Sequence, residues 1–285
     1  MMQELRSTVH GVQENATSQT AKTAAAARSA HLIVDHEPFI LVDDLAEKIL
    51  GDEAEQLLAY HRQSGEHPIL AMARTEVVCR SRYTENRVLS GEAAQYVLLG
   101  AGLDTFAYRH PGVREVYELD HPATQEWKRE QLAKAGIEPT VTFVPIDFEN
   151  DSIIDGLTRA GFDLGQPAVV SWLGVTMYLT NHAIGQVLDE LSGLAPGTEL
   201  VLDHMLPADL RDEAGQFFAE QVAPMAAQWG EPWLSLHSPE DMAGLLRAHG
   251  FTVVEQVMQE DIADWPRTDV LKPTRLSVIT TARVG

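Results

Sequence analysis

The strand-forming run Gln95-Tyr96-Val97-Leu98-Leu99 stops at Gly100-Ala101-Gly102, and Leu103-Asp104-Thr105 leads on into a helical pattern. A buried strand that breaks at two glycines spaced one apart and then turns into a helix opens a nucleotide-type α/β fold. The glycines let the backbone turn sharply and let a ligand approach it with no Cβ between them. The dinucleotide fingerprint needs a third glycine three residues after Gly102, and that position is Thr105. The loop therefore cannot offer the close pyrophosphate approach of that fingerprint.

The flanking periodicity agrees with such a fold. Residues 95–99, 115–119, 140–145, 168–172 and 199–204 read as five strands. Helical patterns follow at 122–135, 181–194, 209–229 and 239–249, and a last strand pair at 251–257 and 275–282. Strands alternating with helices imply a doubly wound, mostly parallel sheet, and a closing pair without an intervening helix implies an antiparallel edge strand. Before the sheet, 17–34, 43–50, 53–63 and 68–90 read as helices, behind a polar leading segment, 1–16. The expected organisation is a helical N-terminal cap over 1–90 and an α/β domain over 91–285. A helical lid insertion is expected at about 205–240, after strand five.

Composition narrows the partners. Lys and Arg number 21 against 42 Asp and Glu, for a net charge of -21. Such a chain repels nucleic-acid backbones and anionic membranes. The longest apolar run, 168–179, falls short of the roughly 20 residues that a membrane helix needs. The single cysteine, Cys79, builds neither a disulfide nor a thiolate metal site. With no basic-then-apolar leader in the sequence, the expected compartment is the cytoplasm. The histidines are dispersed, and no HExxH, GxSxG or GxxxxGK[ST] is present. No metal, hydrolase elbow or triphosphate loop is therefore expected.

Ligands in open α/β sheets lie beyond the carboxyl ends of the strands. Asp120 ends strand two, 18 residues after Gly102, where a carboxylate can accept hydrogen bonds from both hydroxyls of a ribose. Glu118 is its rival, and capping the helix that opens at Pro122 is the plainer role for Asp120. Asp147 with Phe148, after strand three, can meet an adenine, or can be a loop aspartate beside a core phenylalanine. A cofactor with no phosphate at the Gly loop suits this set, and S-adenosylmethionine is the candidate. Its carboxylate needs a cation, for which Arg80, Arg82 and Arg28 are candidates. Arg80 and Arg82, two apart, cannot share a helix face. One of them can grip the ligand while the other pairs with Glu85 or Asp104, although a surface arginine is the commoner case.

Several segments together resemble the leucine carboxyl methyltransferase superfamily of class I S-adenosylmethionine-dependent methyltransferases, nearest to the bacterial branch that includes polyketide carboxyl O-methyltransferases. They are Arg80-Ser81-Arg82-Tyr83-Thr84-Glu85, the Gly-loop run from Gln95 to Tyr108-Arg109, and Tyr117-Glu118-Leu119-Asp120-His121-Pro122. Val144-Pro145-Ile146-Asp147-Phe148, Trp172-Leu173-Gly174-Val175-Thr176-Met177-Tyr178-Leu179 and Gly230-Glu231-Pro232-Trp233 complete the set. The resemblance implies that Arg80, with Arg82 as fallback, holds the carboxylate of S-adenosyl-L-methionine. It likewise implies Gly100 and Gly102 at the methionine part, Asp120 at the ribose, and Asp147 with Phe148 at the adenine. Many relatives carry glutamate where this chain has Leu173, so backbone groups of 172–174 or some other residue must serve instead.

The implied reaction is methyl-ester formation on a small carboxylic acid. The alternatives are a protein C-terminus as acceptor, or a non-catalytic domain that binds the donor as sensor or scaffold. A carboxylate is already ionised near neutral pH, so no essential general base is expected. Tyr178 is a candidate for orienting the acceptor, and His204 for a base if the acceptor were a phenol. Met205, Phe217, Phe218, Met225, Trp229 and Trp233 suit a flat apolar acceptor, or simply helix packing.

Overall fold

The structure, a computed structural model, describes residues 18–148 and 150–285; the polar segment 1–16 lies outside them. Ser18 caps α1 (Gln19–Val34) by accepting from the Ala21 N–H. The buried Ala25, Ala26 and Ala30 let α1 lie close on α2 (Ala46–Leu50), α3 (Ala54–Ser64) and α4 (Pro68–Ser90). Pro68 sits at the first helical position of α4, where its missing N–H costs nothing. Leu103 and Leu132 share the α1–α3 core, so the helical region is continuous with the sheet region.

The strands are β1 (Gln95–Leu99), β2 (Glu115–Asp120), β3 (Thr142–Pro145), β4 (Ala168–Trp172), β5 (Glu199–Met205), β6 (Phe251–Val257) and β7 (Ser277–Val284). Between them run α5 (Phe106–Arg109), α6 (Pro122–Lys134), α7 (Ile153–Arg159), α8 (Asn181–Leu191), α9 (Glu213–Gln228) and α10 (Pro239–Ala248). The sheet order is β3-β2-β1-β4-β5-β7-β6, with the first five strands parallel and β7 antiparallel to both neighbours. Strand order reverses between β1 and β4, which opens the ligand crevice at their carboxyl ends. Leu99 pairs with both Leu119 and Trp172, so the ends of β1, β2 and β4 are level there.

Alternation along β1 feeds two core layers. Val97 and Leu99 pack with Trp172, Ile184 and Leu246, whereas Tyr96 and Leu98 pack with Val88 and Phe106. A further cluster gathers Met72, Met177, Met205, Phe218 and Leu276 at the carboxyl end of the sheet. Among the described residues no helix is long and apolar enough to cross a membrane.

The closing strand pair forms the antiparallel end of the sheet, with β7 between β5 and β6. Three details differ from expectation. The 209–229 helix is split into a 3-10 turn, Ala208–Leu210, and α9, which restarts where the Asp212 side chain accepts from the Gly215 N–H. β3 begins at Thr142, and Thr140 before it donates its hydroxyl to Ala107 O. The short helix α7, capped by Ser152, carries too few turns to show periodicity.

Candidate active site

The end of β1 folds over β2 through its backbone. Gly100 and Ala101 N–H both donate to Leu119 O, at 2.9 and 3.1 Å. Gly102 has φ +50 and donates its N–H to Asp120 Oδ2 at 2.5 Å. A Cβ there would come within 3.2 Å of the Ala21 side chain, so α1 closes directly on the loop. The other Asp120 oxygen accepts from the His121 N–H at 2.7 Å. Burial pushes the Asp120 carboxyl above the usual range, and the two N–H bonds pull against that rise. The α6 cap is His121, whose Nδ1 accepts from Ala123 N–H; Asp120 is spent on the Gly loop instead. Its rival Glu118 is fully buried and bonded by Lys128 at 2.6 Å, with burial pushing its carboxyl up to about 7.

Arg80 reaches the crevice from α4. Its guanidinium donates to Asp203 Oδ2 at 3.2 Å, while Asp203 Oδ1 accepts from the Gly174 N–H at 2.6 Å. Gly174 has φ +69, and a Cβ on it would lie 2.6 Å from Arg80 Nη2. Only glycine therefore lets the arginine lie against the turn after β4. Asp203, 0% exposed at the end of β5, is the residue that sequence reasoning missed. Its signal was an aspartate closing the apolar run Leu200-Val201-Leu202.

The remaining candidates fall into place unequally. Arg28 donates to Asp43 at 2.7 Å and to Leu103 O at 2.6 Å, so it braces the Gly loop from behind with its charge already matched. Burial alone would raise the Asp43 carboxyl, but Arg28 and Arg109 overcome it and hold it below its usual range. Arg82 is exposed and lines a surface cleft with Phe39, Asp261 and Arg267, none of them in the Gly loop. The expected partners of the second arginine are also otherwise engaged: Glu85 pairs with Arg109, and Asp104 caps the Phe106 N–H.

Asp147 begins a turn in which its carboxylate accepts from the Asn150 side chain at 2.7 Å, and the half-buried Phe148 packs on the main core. Leu173 packs against the Tyr96–Phe106 layer, an apolar duty that a charged residue could not perform. His204 does not reach the crevice, because strand alternation turns it to the face opposite Asp203. Its Nδ1 meets His237 O, its Nε2 meets Thr280 Oγ1, and burial pushes it down to about 4.

Tyr178 stands beside Arg80. Burial pushes its phenol up to about 12, with Glu231 adding to the rise and Arg80 opposing it. Leu234 N–H donates to Met177 O at 2.7 Å and pins the loop that carries Glu231 and Trp233 to the turn holding Tyr178. Tyr178, Trp233, Ile69 and Val222 pack on Met72, Met177 and Phe218. Ser18 Oγ donates to Glu231 Oε1 at 2.8 Å and ties the start of α1 to the same loop. Arg211 Nη2 and Glu231 Oε2 are buried atoms without a hydrogen-bond partner among the described residues.

The sequence model of the family described as Leucine carboxyl methyltransferase matches residues 16–192. The chain belongs to the leucine carboxyl methyltransferase family. A Bacillus subtilis protein named "Putative S-adenosyl-L-methionine-dependent methyltransferase YktD" is 31% identical over 282 residues, covering 89% of this chain and 92% of its own length. A Mycobacterium tuberculosis protein of like description is 33% identical over 264 residues, covering 86% of this chain and 84% of its own. A solved structure from Thermobifida fusca, described as a "putative methyltransferase", shares the fold at TM-score 0.61 and 18% identity, over 97% of this chain and 96% of that one. This family member is an S-adenosyl-L-methionine-dependent methyltransferase. The residues present suit such a donor: a glycine turn at the end of β1, a carboxylate at the end of β2, and a guanidinium beside a glycine.

Proposed function

We propose that this methyltransferase transfers the methyl group to a carboxylate oxygen of a small, largely apolar acid of polyketide-like character, giving a methyl ester. The supporting observation is the Ser18–Glu231 bond, which joins α1, lying on Gly102, to the loop that carries Trp233 over the Met72–Phe218 cluster. A peptide C-terminus would need an open groove, whereas an apolar cluster tied to α1 through Ser18 and Glu231 suits a small acceptor. Its single cysteine, buried Cys79, suits a reducing cytoplasm.

When bound, the donor supplies a methyl group already activated on a sulfonium. Arg80 holds the donor's carboxylate, Gly100 and Gly102 back its methionine part, Asp120 takes the ribose, and Asp147 with Phe148 meets the adenine. Asp203 keeps Arg80 in position. A carboxylate acceptor, with a pKa near 4, needs no base. Tyr178, pushed up to about 12, keeps its proton near neutral pH and donates a hydrogen bond that orients the acceptor oxygen. The apolar side chains around Tyr178 and Trp233 would keep water from the reacting atoms.

The test is label transfer from methyl-labelled donor to a panel of aromatic and fatty acids, the matching phenols, and a peptide with a free C-terminus. Label in a small product that mild alkali releases as methanol is expected. Label confined to an alkali-stable ether, or to the peptide, overturns the assignment. A donor that binds yet gives no transfer to any acceptor makes the protein a sensor.

A further inference from the structure

We infer that Glu231 is the carboxylate that receives the donor's ammonium group, an assignment that rests on the donor placement proposed above. The donor's amino-acid tail brings one carboxylate and one ammonium, and the ammonium presents three hydrogen-bond donors. A charged group taken out of water must find partners, so the crevice should offer it an acceptor.

Several carboxylates along the crevice already have partners within the fold. Asp203 spends one oxygen on Gly174 N–H and the other on Arg80. Each Asp120 oxygen already accepts a backbone N–H, from Gly102 and His121, and the ribose placement takes the lone pairs that remain. Glu76, a turn before Arg80 on α4, accepts from Gln259 and Ser277. Glu85 is taken by Arg109. Two buried carboxylate oxygens lack a partner among the described residues, Glu118 Oε1 and Glu231 Oε2. The first belongs to a carboxylate that Lys128 of α6 already neutralises. The second has no cation of its own.

Glu231 is also in the right place. Its Oε1 is held by Ser18, at the start of the helix whose Ala21 faces Gly102. The loop that carries Glu231 is pinned by Leu234 N–H to Met177 O, three residues after the Gly174 turn against which Arg80 lies. At the end of β4 the side chain is Leu173, which supplies no charge. With Glu231 spent on the ammonium, its charge no longer opposes a carboxylate acceptor held near Trp233.

The test is calorimetric titration of the full-length protein and its Glu231→Gln variant. The probes are S-adenosyl-L-methionine, S-adenosyl-L-homocysteine and 5′-methylthioadenosine, the last of which has no amino-acid tail. Glutamine keeps the volume and an oxygen for Ser18, so an unchanged thermal midpoint is expected. Binding of the two tailed probes should weaken about 10- to 100-fold, with 5′-methylthioadenosine unaffected. Unchanged affinity for all three overturns the inference. So does weakening for S-adenosyl-L-methionine alone, which would assign Glu231 to the sulfonium, or equal weakening for all three, which would make its role structural. Failure of the wild type to bind any probe would instead remove the donor placement itself.

Discussion

The two halves of the crevice are held by different physics. On the side proposed for the methyl donor, Gly102, Asp120, Arg80, Gly174 and Asp203 sit at strand ends or against them, and their hydrogen-bonding groups satisfy one another. On the other side, Met72, Met177, Phe218, Val222 and Trp233 come from α4, a turn, α9 and a loop, and hold by apolar contact. There Arg211 Nη2 has no hydrogen-bond partner among the described residues. A hydrogen-bonded cradle on a sheet resists change in shape, whereas an apolar cluster repacks when side-chain volume is conserved. Acceptor range can thus shift without disturbing the donor cradle.

Breaking the cradle should have the largest effect. Asp203→Ala leaves the Arg80 charge and the Gly174 N–H unpaired and should lower stability by about 3 kcal/mol, read by urea unfolding, with donor binding lost as well. Unchanged stability would show the cradle to be looser than its hydrogen bonds imply. His204 is a control outside both halves. It is held neutral in the fold at a pKa of about 4, against 6.5 when free, so between these values the unfolded chain binds more protons. Stability from this group is fully present above 6.5 and falls as pH drops toward 4, by about 3 kcal/mol. His204→Gln should flatten that part of the pH–stability curve and leave donor affinity alone.

Asp120→Ala frees the Gly102 N–H and should weaken donor binding roughly 50-fold by calorimetry, with a smaller loss in Asp120→Asn. Gly174→Ala meets a left-handed backbone and the Arg80 guanidinium and should weaken donor binding about 10-fold. Trp233→Phe trims the indole to a single ring against the apolar cluster and should raise acceptor KM about 5-fold with donor affinity unchanged. An equal effect on the donor would merge the two halves into one.

The strands and the Gly loop were legible because burial on both faces writes continuous apolar runs, as in 95–99 and 168–172. Asp120 was legible as the polar stop of such a run, and its bond to Gly102 was not, since that bond joins residues 18 apart through the strand pairing. His204 is a candidate only for a phenol acceptor, and Asp203 beside it carries no motif; strand alternation decides which of the two neighbours faces the crevice. Arg82 was a fallback only because a sequence does not show which helix face meets the sheet.

By itself the sequence determined the α/β alternation, the glycine turn and the helices ahead of it, because period and backbone permissiveness are local properties. The tertiary structure alone decided that β7 enters between β5 and β6, that Asp203 meets Arg80, and that Ser18 meets Glu231 from 213 residues away. Those pairings depend on which distant surfaces bury each other, and no local pattern encodes that choice.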